Sequence, residues 1–195
     1  MPGSADRLTG PVLDVAPRLL GAVLRHAEVA ARITEVEAYD GHDDPGSHAA
    51  HGRTPRNAVM FGPPGTLYVY FTYGMHHCCN VVVGSRGTAS AVLLRAGEVV
   101  EGIALARDRR GSGDRDLARG PARLCQALGI DLSHNGTDLG TGSLTLHLPE
   151  SLTEGIATGP RVGLRRAPER PWRFWVEGDP TVSVYRPAAP LRSRP

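Results

Sequence analysis

The chain has 195 residues, and its 22 Lys+Arg against 20 Asp+Glu leave a formal charge of only +2. That length suits a single domain over residues 1–195 with flexible ends at 1–6 and 186–195, and the near-balance of charge excludes a polybasic tail. No stretch approaches the roughly 18 apolar residues of a membrane span, and residues 1–16 lack the charged start and apolar run of a secretory leader, so a cytoplasmic monomer without membrane contact is expected.

Asp14 is placed to cap a helix of about a dozen residues, with Pro17 in the tolerated first turn and Leu19, Leu20, Val23 and Leu24 at helical spacing. From Val29 to Tyr39 the period becomes two, so Val29, Ala31, Ile33, Glu35, Glu37 and Tyr39 are expected on one face of a strand. Residues 40–57 form a polar loop too long to be a mere connection. Gly62-Pro63-Pro64-Gly65 reads as a turn into a strand from Thr66 to Tyr73. Gly74 breaks it, Cys78 to Val83 returns, and Gly84 to Gly87 turns the chain into Ala89 to Arg95. This is an antiparallel meander. Val99 to Arg110 reads as helical. Pro121 to Leu128 reads as a short helix with Pro at its first position and Gly129 past its end. Leu144–Leu148, Trp172–Val176 and Thr181–Val184 complete the strands, and Gly111–Arg119 is expected to be mobile. Strands and helices mixed in this way predict an α+β domain.

All 22 cations are arginine. A chain without lysine offers no lysine Schiff base and no P-loop lysine, and GxGxxG and GxSxG are absent as well. Cys78, Cys79 and Cys125 form neither a CxxC pair nor an even disulfide framework, and Cys125 between Leu124 and Leu128 reads as a buried, inert thiol. His42, Asp43, Asp44, His48 and His51 supply metal-ligand types within ten residues, but their spacing matches no zinc signature, and no metal or cofactor is expected. The richer signal lies between Glu35 and Arg95. Phe61, Tyr68, Tyr70, Phe71 and Tyr73 cluster there with five of the eight histidines. Glu37 stands two residues before Tyr39, which puts an acid and a ring side by side on a strand face.

Thr34-Glu35-Val36-Glu37-Ala38-Tyr39, His48, and Arg53-Thr54-Pro55-Arg56-Asn57 resemble motifs of the alkyladenine (3-methyladenine) DNA glycosylase family. So do Met60-Phe61, Pro64 to Tyr70, Tyr73-Gly74-Met75, Asn80, Leu93-Leu94-Arg95-Ala96, Gly120-Pro121, Leu124 to Leu128, Arg161-Val162-Gly163 and Arg173-Phe174. The likeness runs from about residue 7 to about residue 185 in the family's order and spacing. It implies a curved antiparallel sheet with flanking helices and a protruding β-hairpin. The implied activity is that of a monofunctional enzyme of base excision repair, which flips a damaged purine out of duplex DNA and hydrolyses its N-glycosidic bond.

Residue by residue, the resemblance makes Glu37 the general base, with Arg95 helping to hold it and the water and the Val162 carbonyl as a third contact to the water. Tyr39, His48 and Tyr70 would enclose the extruded base, and Asn80 would exclude guanine's 2-amino group. Tyr73 would fill the gap in the duplex, with Met75 beside it on the hairpin. DNA contacts are expected from Arg56, Arg86, Arg123 and some of Arg107 to Arg119. His76 and His77 stand where the family more often carries aromatic or apolar residues. Two other readings stay open at this point: a non-catalytic lesion binder on the same scaffold, and a metal-dependent hydrolase using His42 to His51.

Overall fold

The computed structural model describes residues 6–72 and 74–189. Its spine is β2 (Val29–Asp40), where β-branched Val29, Ile33, Thr34 and Val36 favour an extended chain. Along one edge β2 pairs antiparallel with β5 (Ser90–Glu101), followed outward by β4 (His76–Val83) and β3 (Leu67–Thr72). Its other edge is shared. β1 (Val23–His26) occupies the first half, between Val23↔Arg32 and His26↔Val29, and leads on to β6 (Leu144–His147). β8 (Arg173–Val176) occupies the second half, between Glu35↔Trp175 and Glu37↔Arg173, and carries β7 (Ile156–Gly159) outside it. Among the described residues eight strands join one antiparallel sheet and three short helices flank it, so the architecture is α+β as the sequence predicts.

One face of the sheet carries the main apolar core. α3 (Pro121–Leu128) lays Leu124, Cys125, Ala127 and Leu128 on it, and α2 (Ile103–Arg110) packs beside α3. The predicted bounds of α3 hold because both ends are chemically fixed. Pro121 takes the first helical position, and Gly129 closes the helix with a left-handed φ of 71°. On the opposite face a smaller cluster of Ala49, Met60, Tyr68, Val82, Ala89 and Ala91 anchors the long 40–61 loop.

Several expectations are corrected. The dozen-residue helix after Asp14 does not form: α1 is only Val12–Val15, a 3-10 turn spans Ala16–Leu19, and Val23 and Leu24 belong to β1. Gly21 at φ 80° reverses the chain there, and pairing with β2 outweighs helical spacing. The single face from Val29 to Tyr39 is also interrupted. Register breaks between Ile33 and Val36 place Val29, Ala31 and Ile33 in the core but then Val36 and Ala38, which turns Glu35, Glu37 and Tyr39 to the other face. Val99 and Val100 extend β5, and the helix begins only after Gly102 at φ 68°.

Thr181–Val184 runs as an irregular segment, and the partner of β8 is instead β7, which the sequence reading left unassigned. Residues 111–119 include Leu117 and Ala118, which are buried in the core, so this segment is anchored rather than loose. Tyr73, the expected wedge, lies outside the described residues, as do residues 1–5 and 190–195 of the expected flexible ends. Among the described helices none is long and apolar enough to cross a membrane.

Candidate active site

The face of the sheet opposite the helices carries a transverse row of side chains. Strand register aligns Tyr68 with Asn80, Asn80 with Leu93, Leu93 with Glu37 and Glu37 with Arg173 across five strands. Side chains in register share a face, so residues far apart in sequence become neighbours. Above this row lies a cavity of about 360 Å³. Glu37, Tyr39, Tyr70, Cys78, Asn80 and Arg95 come to it from the sheet, His48 and Met60 from the long loop, and Val162 to Leu164 from the segment after β7.

The aromatic wall is pinned from behind. The His48 ring meets Tyr70 edge-on, with centroids 4.5 Å apart, and its Nδ1 lies 3.1 Å from the Tyr68 hydroxyl. The Asn57 side chain donates to the carbonyls of His48 and Gly52, which fixes the loop's path. Burial, and then the nearby Arg56 guanidinium, lower the proton affinity of His48. Burial pushes the Tyr39 and Tyr70 phenols well up and the Cys78 thiol to about 11. The wall is therefore made of neutral, π-rich groups near pH 7.

Beneath it Glu37 is fully buried. Its Oε1 accepts from the Val162 N–H at 2.7 Å and faces Arg95 Nη1 at 3.3 Å, while the Tyr39 hydroxyl donates to Oε2 at 2.8 Å. Arg95 reaches this place because it is the residue left without a partner where β5 skips from Ala96 to Leu94 against β2. A bulge re-aims a side chain in this way. Behind Tyr39, the buried Arg161 guanidinium sits 4.7 Å from the Tyr39 ring centroid and 5.1 Å from that of Trp172. Arg161 donates through both terminal nitrogens to Asp44 and also to the Ala38 carbonyl. This pair ties the long loop to the segment that supplies Val162, so the two walls of the cavity are braced together. A buried carboxylate flanked by neutral rings and fixed donors can hold a water and take its proton beside a positively charged guest.

Residues 6–180 match the profile of the methylpurine-DNA glycosylase family. A Streptomyces avermitilis protein is 55% identical over 94% of this chain and 92% of its own length. A Leifsonia xyli protein is 55% identical over 93% and 91%, and one from Frankia casuarinae is 52% identical over 99% and 96%. Each is named, by inference, a 3-methyladenine DNA glycosylase. The chain belongs to the methylpurine-DNA glycosylase family.

In this DNA glycosylase the structure gathers Glu37, Tyr39, His48, Tyr70, Asn80, Arg95 and Val162 around one cavity. Val162 also holds Glu37 directly, its N–H donating to the carboxylate. The Asn80 side chain is buried and donates to the Tyr68 carbonyl at 3.1 Å. Arg56 stands at the rim over the Tyr70 ring, 5.7 Å from its centroid. Met75 is 68% exposed in the β3–β4 connection, and Arg123 lies exposed on α3, two residues after Pro121 at the cavity edge.

The arginines between 107 and 119 are largely committed within the fold. Arg107 pairs with Asp114, Arg109 and Arg110 bind α3 or its flank, and Arg119 binds the Val182 carbonyl. The five candidate metal ligands do not converge. Asp44 is taken by Arg161, His48 is in the aromatic wall, and His42 and Asp43 face solvent. Among the described residues no three His, Cys, Asp or Glu side chains stand together. The sequence reading missed the supporting roles of Glu35, Arg161 and Arg173. The signal available for them was two acids at strand spacing, Glu35 and Glu37, which cannot both be buried without cations.

Proposed function

We propose that this glycosylase removes alkylated or deaminated purines from duplex DNA, with Glu37 as the general base of a hydrolysis that leaves an abasic site. The observation that carries the reading is the fully buried Glu37 carboxylate opening onto a cavity walled by Tyr39, His48 and Tyr70. A volume of about 360 Å³ lies in the range of small-molecule sites and suits a single extruded base. N3- or N7-alkylated purines are cations, and neutral aromatic faces favour a cation over a neutral ring.

In the proposed step Glu37 takes a proton from water while the water oxygen bonds to C1′ of the sugar. The C1′–N bond breaks with its electron pair leaving on the base. The carboxylate charge also favours the oxocarbenium-like sugar in the transition state. An alkylated purine leaves as a neutral molecule without further protonation, whereas a neutral lesion such as hypoxanthine needs a proton as it departs. Asn80, between Tyr68 and Leu93 in the row, would crowd a 2-amino group, and Tyr73 with Met75 would occupy the gap in the duplex. With no lysine anywhere in the chain, strand cleavage through a lysine Schiff base has no nucleophile.

The competing reading, a lesion binder without activity, gives no role to a buried carboxylate held by Arg95 and the Val162 N–H. The two readings part on Glu37→Gln. This variant should bind lesion-bearing duplex as well as the parent and release base at least about 100-fold more slowly in single-turnover assays. Near-normal release would remove Glu37 from the mechanism.

A further inference from the structure

Glu37 is not the only buried acid on this face. Two residues earlier Glu35 has no exposed surface and does not line the cavity. Its Oε1 accepts from Arg173 Nε at 2.7 Å, Arg95 Nε at 2.9 Å and the Ser183 hydroxyl at 3.0 Å. Its Oε2 accepts from the Ser183 N–H at 2.7 Å. A buried network of two guanidiniums and a carboxylate is a poor source of stability compared with apolar packing of the same volume. Its effect here is geometric. Glu35 holds Arg95 by Nε at 2.9 Å and leaves only Nη1 for Glu37, at the longer distance of 3.3 Å.

We propose that Glu35 is a positioning residue for base release: by retaining Arg95 through Nε it limits that guanidinium's hold on Glu37, whose carboxylate is left to accept a proton from water. The proposal rests on the reading of Glu37 as the base. The other charged or titratable groups facing Glu37 are Tyr39 on its own strand, Tyr70 on β3, Cys78 on β4, Arg95 on β5 and Arg173 across β8. Of these, the two guanidiniums are the cations, and Glu35 is the anion that offsets them. Removing the Glu35 charge releases Arg95, and Arg173 beside it, to pair with Glu37 and occupy the oxygen that would take the proton. Removing the Arg173 charge leaves Glu35 to Arg95 alone and does the reverse.

The test is the pH profile of base release from alkylated duplex DNA under single-turnover conditions, for the parent, Glu35→Gln, Arg173→Gln and Glu37→Gln. Glu35→Gln should move the acid limb to lower pH and lower the plateau by about tenfold, while Arg173→Gln should move the limb to higher pH. General destabilisation cannot shift the limb in opposite directions. If Glu37→Gln is inactive but both other profiles keep the parent's acid limb, Glu35 has no such role. If Glu37→Gln is active, the reading of Glu37 itself fails instead. Should Glu35→Gln not fold, as judged by near-UV circular dichroism, the Arg173→Gln limb decides. Failure of both to fold assigns Glu35 to structure alone and overturns the proposal.

Discussion

His48 is held uncharged by its burial and, secondarily, by the Arg56 guanidinium at the rim. Its folded proton affinity lies below the unfolded value of about 6.5, so the folded chain binds fewer protons. The stability that this group contributes is therefore complete above that pH and is lost as pH falls through it towards the folded value. Arg56→Gln should move the His48 midpoint upward in a ring-proton NMR titration, and an unmoved midpoint would leave burial as the whole cause. Arg161 and Asp44, both fully buried, make the opposite kind of contact, in which each charge depends on the other. Asp44→Asn should cost about 3–5 kcal/mol in urea unfolding, because it strands a guanidinium in the interior. A loss below about 1 kcal/mol would mean that water reaches Arg161. The exposed Arg107–Asp114 pair should show no comparable effect when Asp114 is neutralised.

The interrupted pairing of β2 with β5 decides which way the acids point. Gly97 lies within it, opposite Ile33, and a Cβ there would stand 2.6 Å from the Arg32 carbonyl oxygen. Gly97→Ala should therefore push the strands apart and cost about 1–3 kcal/mol in chemical denaturation, with base release impaired at the same time. Full stability would show that the two strands can separate without penalty. This element also explains what the sequence could and could not convey. The β3–β4–β5 meander and α3 were legible because Gly62–Gly65, Gly74, Gly84–Gly87, Pro121 and Gly129 mark their ends. Glu37, Tyr39, His48 and Tyr70 were legible through motif likeness. The flip at Thr34–Glu35 was not, since alternation alone continues through a bulge. Nor was the cationic support of Glu35, because Arg95 and Arg173 come from distant strands. The short β1 was hidden for a related reason: Val23 and Leu24 continue a helical spacing that only pairing with β2 overrules.

Across the described residues the arginines divide between those engaged within the fold and those open to a polyanionic partner. Arg107, Arg109, Arg110 and Arg119 are engaged within the fold, whereas Arg53, Arg86, Arg123, Arg165, Arg166 and Arg186 stand exposed and Arg56 rests over Tyr70. Phosphate contacts by Arg56, Arg86 and Arg123 alone would give a slope of about −3 for log affinity against log salt, since each would contribute about −0.9. Arg123→Ala should reduce the slope by about one in fluorescence anisotropy with duplex DNA, and Arg107→Ala should leave it unchanged. A reversed pattern would move the DNA track to the outer side of α2. The shared edge of β2 has one more consequence, for the order in which the parts become available. The Val162 amide, Arg173 and Ser183 all follow β6 in the chain, and they fix acids that were laid down near residue 36. A polypeptide emerging from the ribosome thus carries Glu37 and most of its aromatic wall long before the donors that set them. The carboxylate network is complete only once Ser183 has emerged, and a product broken off before that point has no assembled centre.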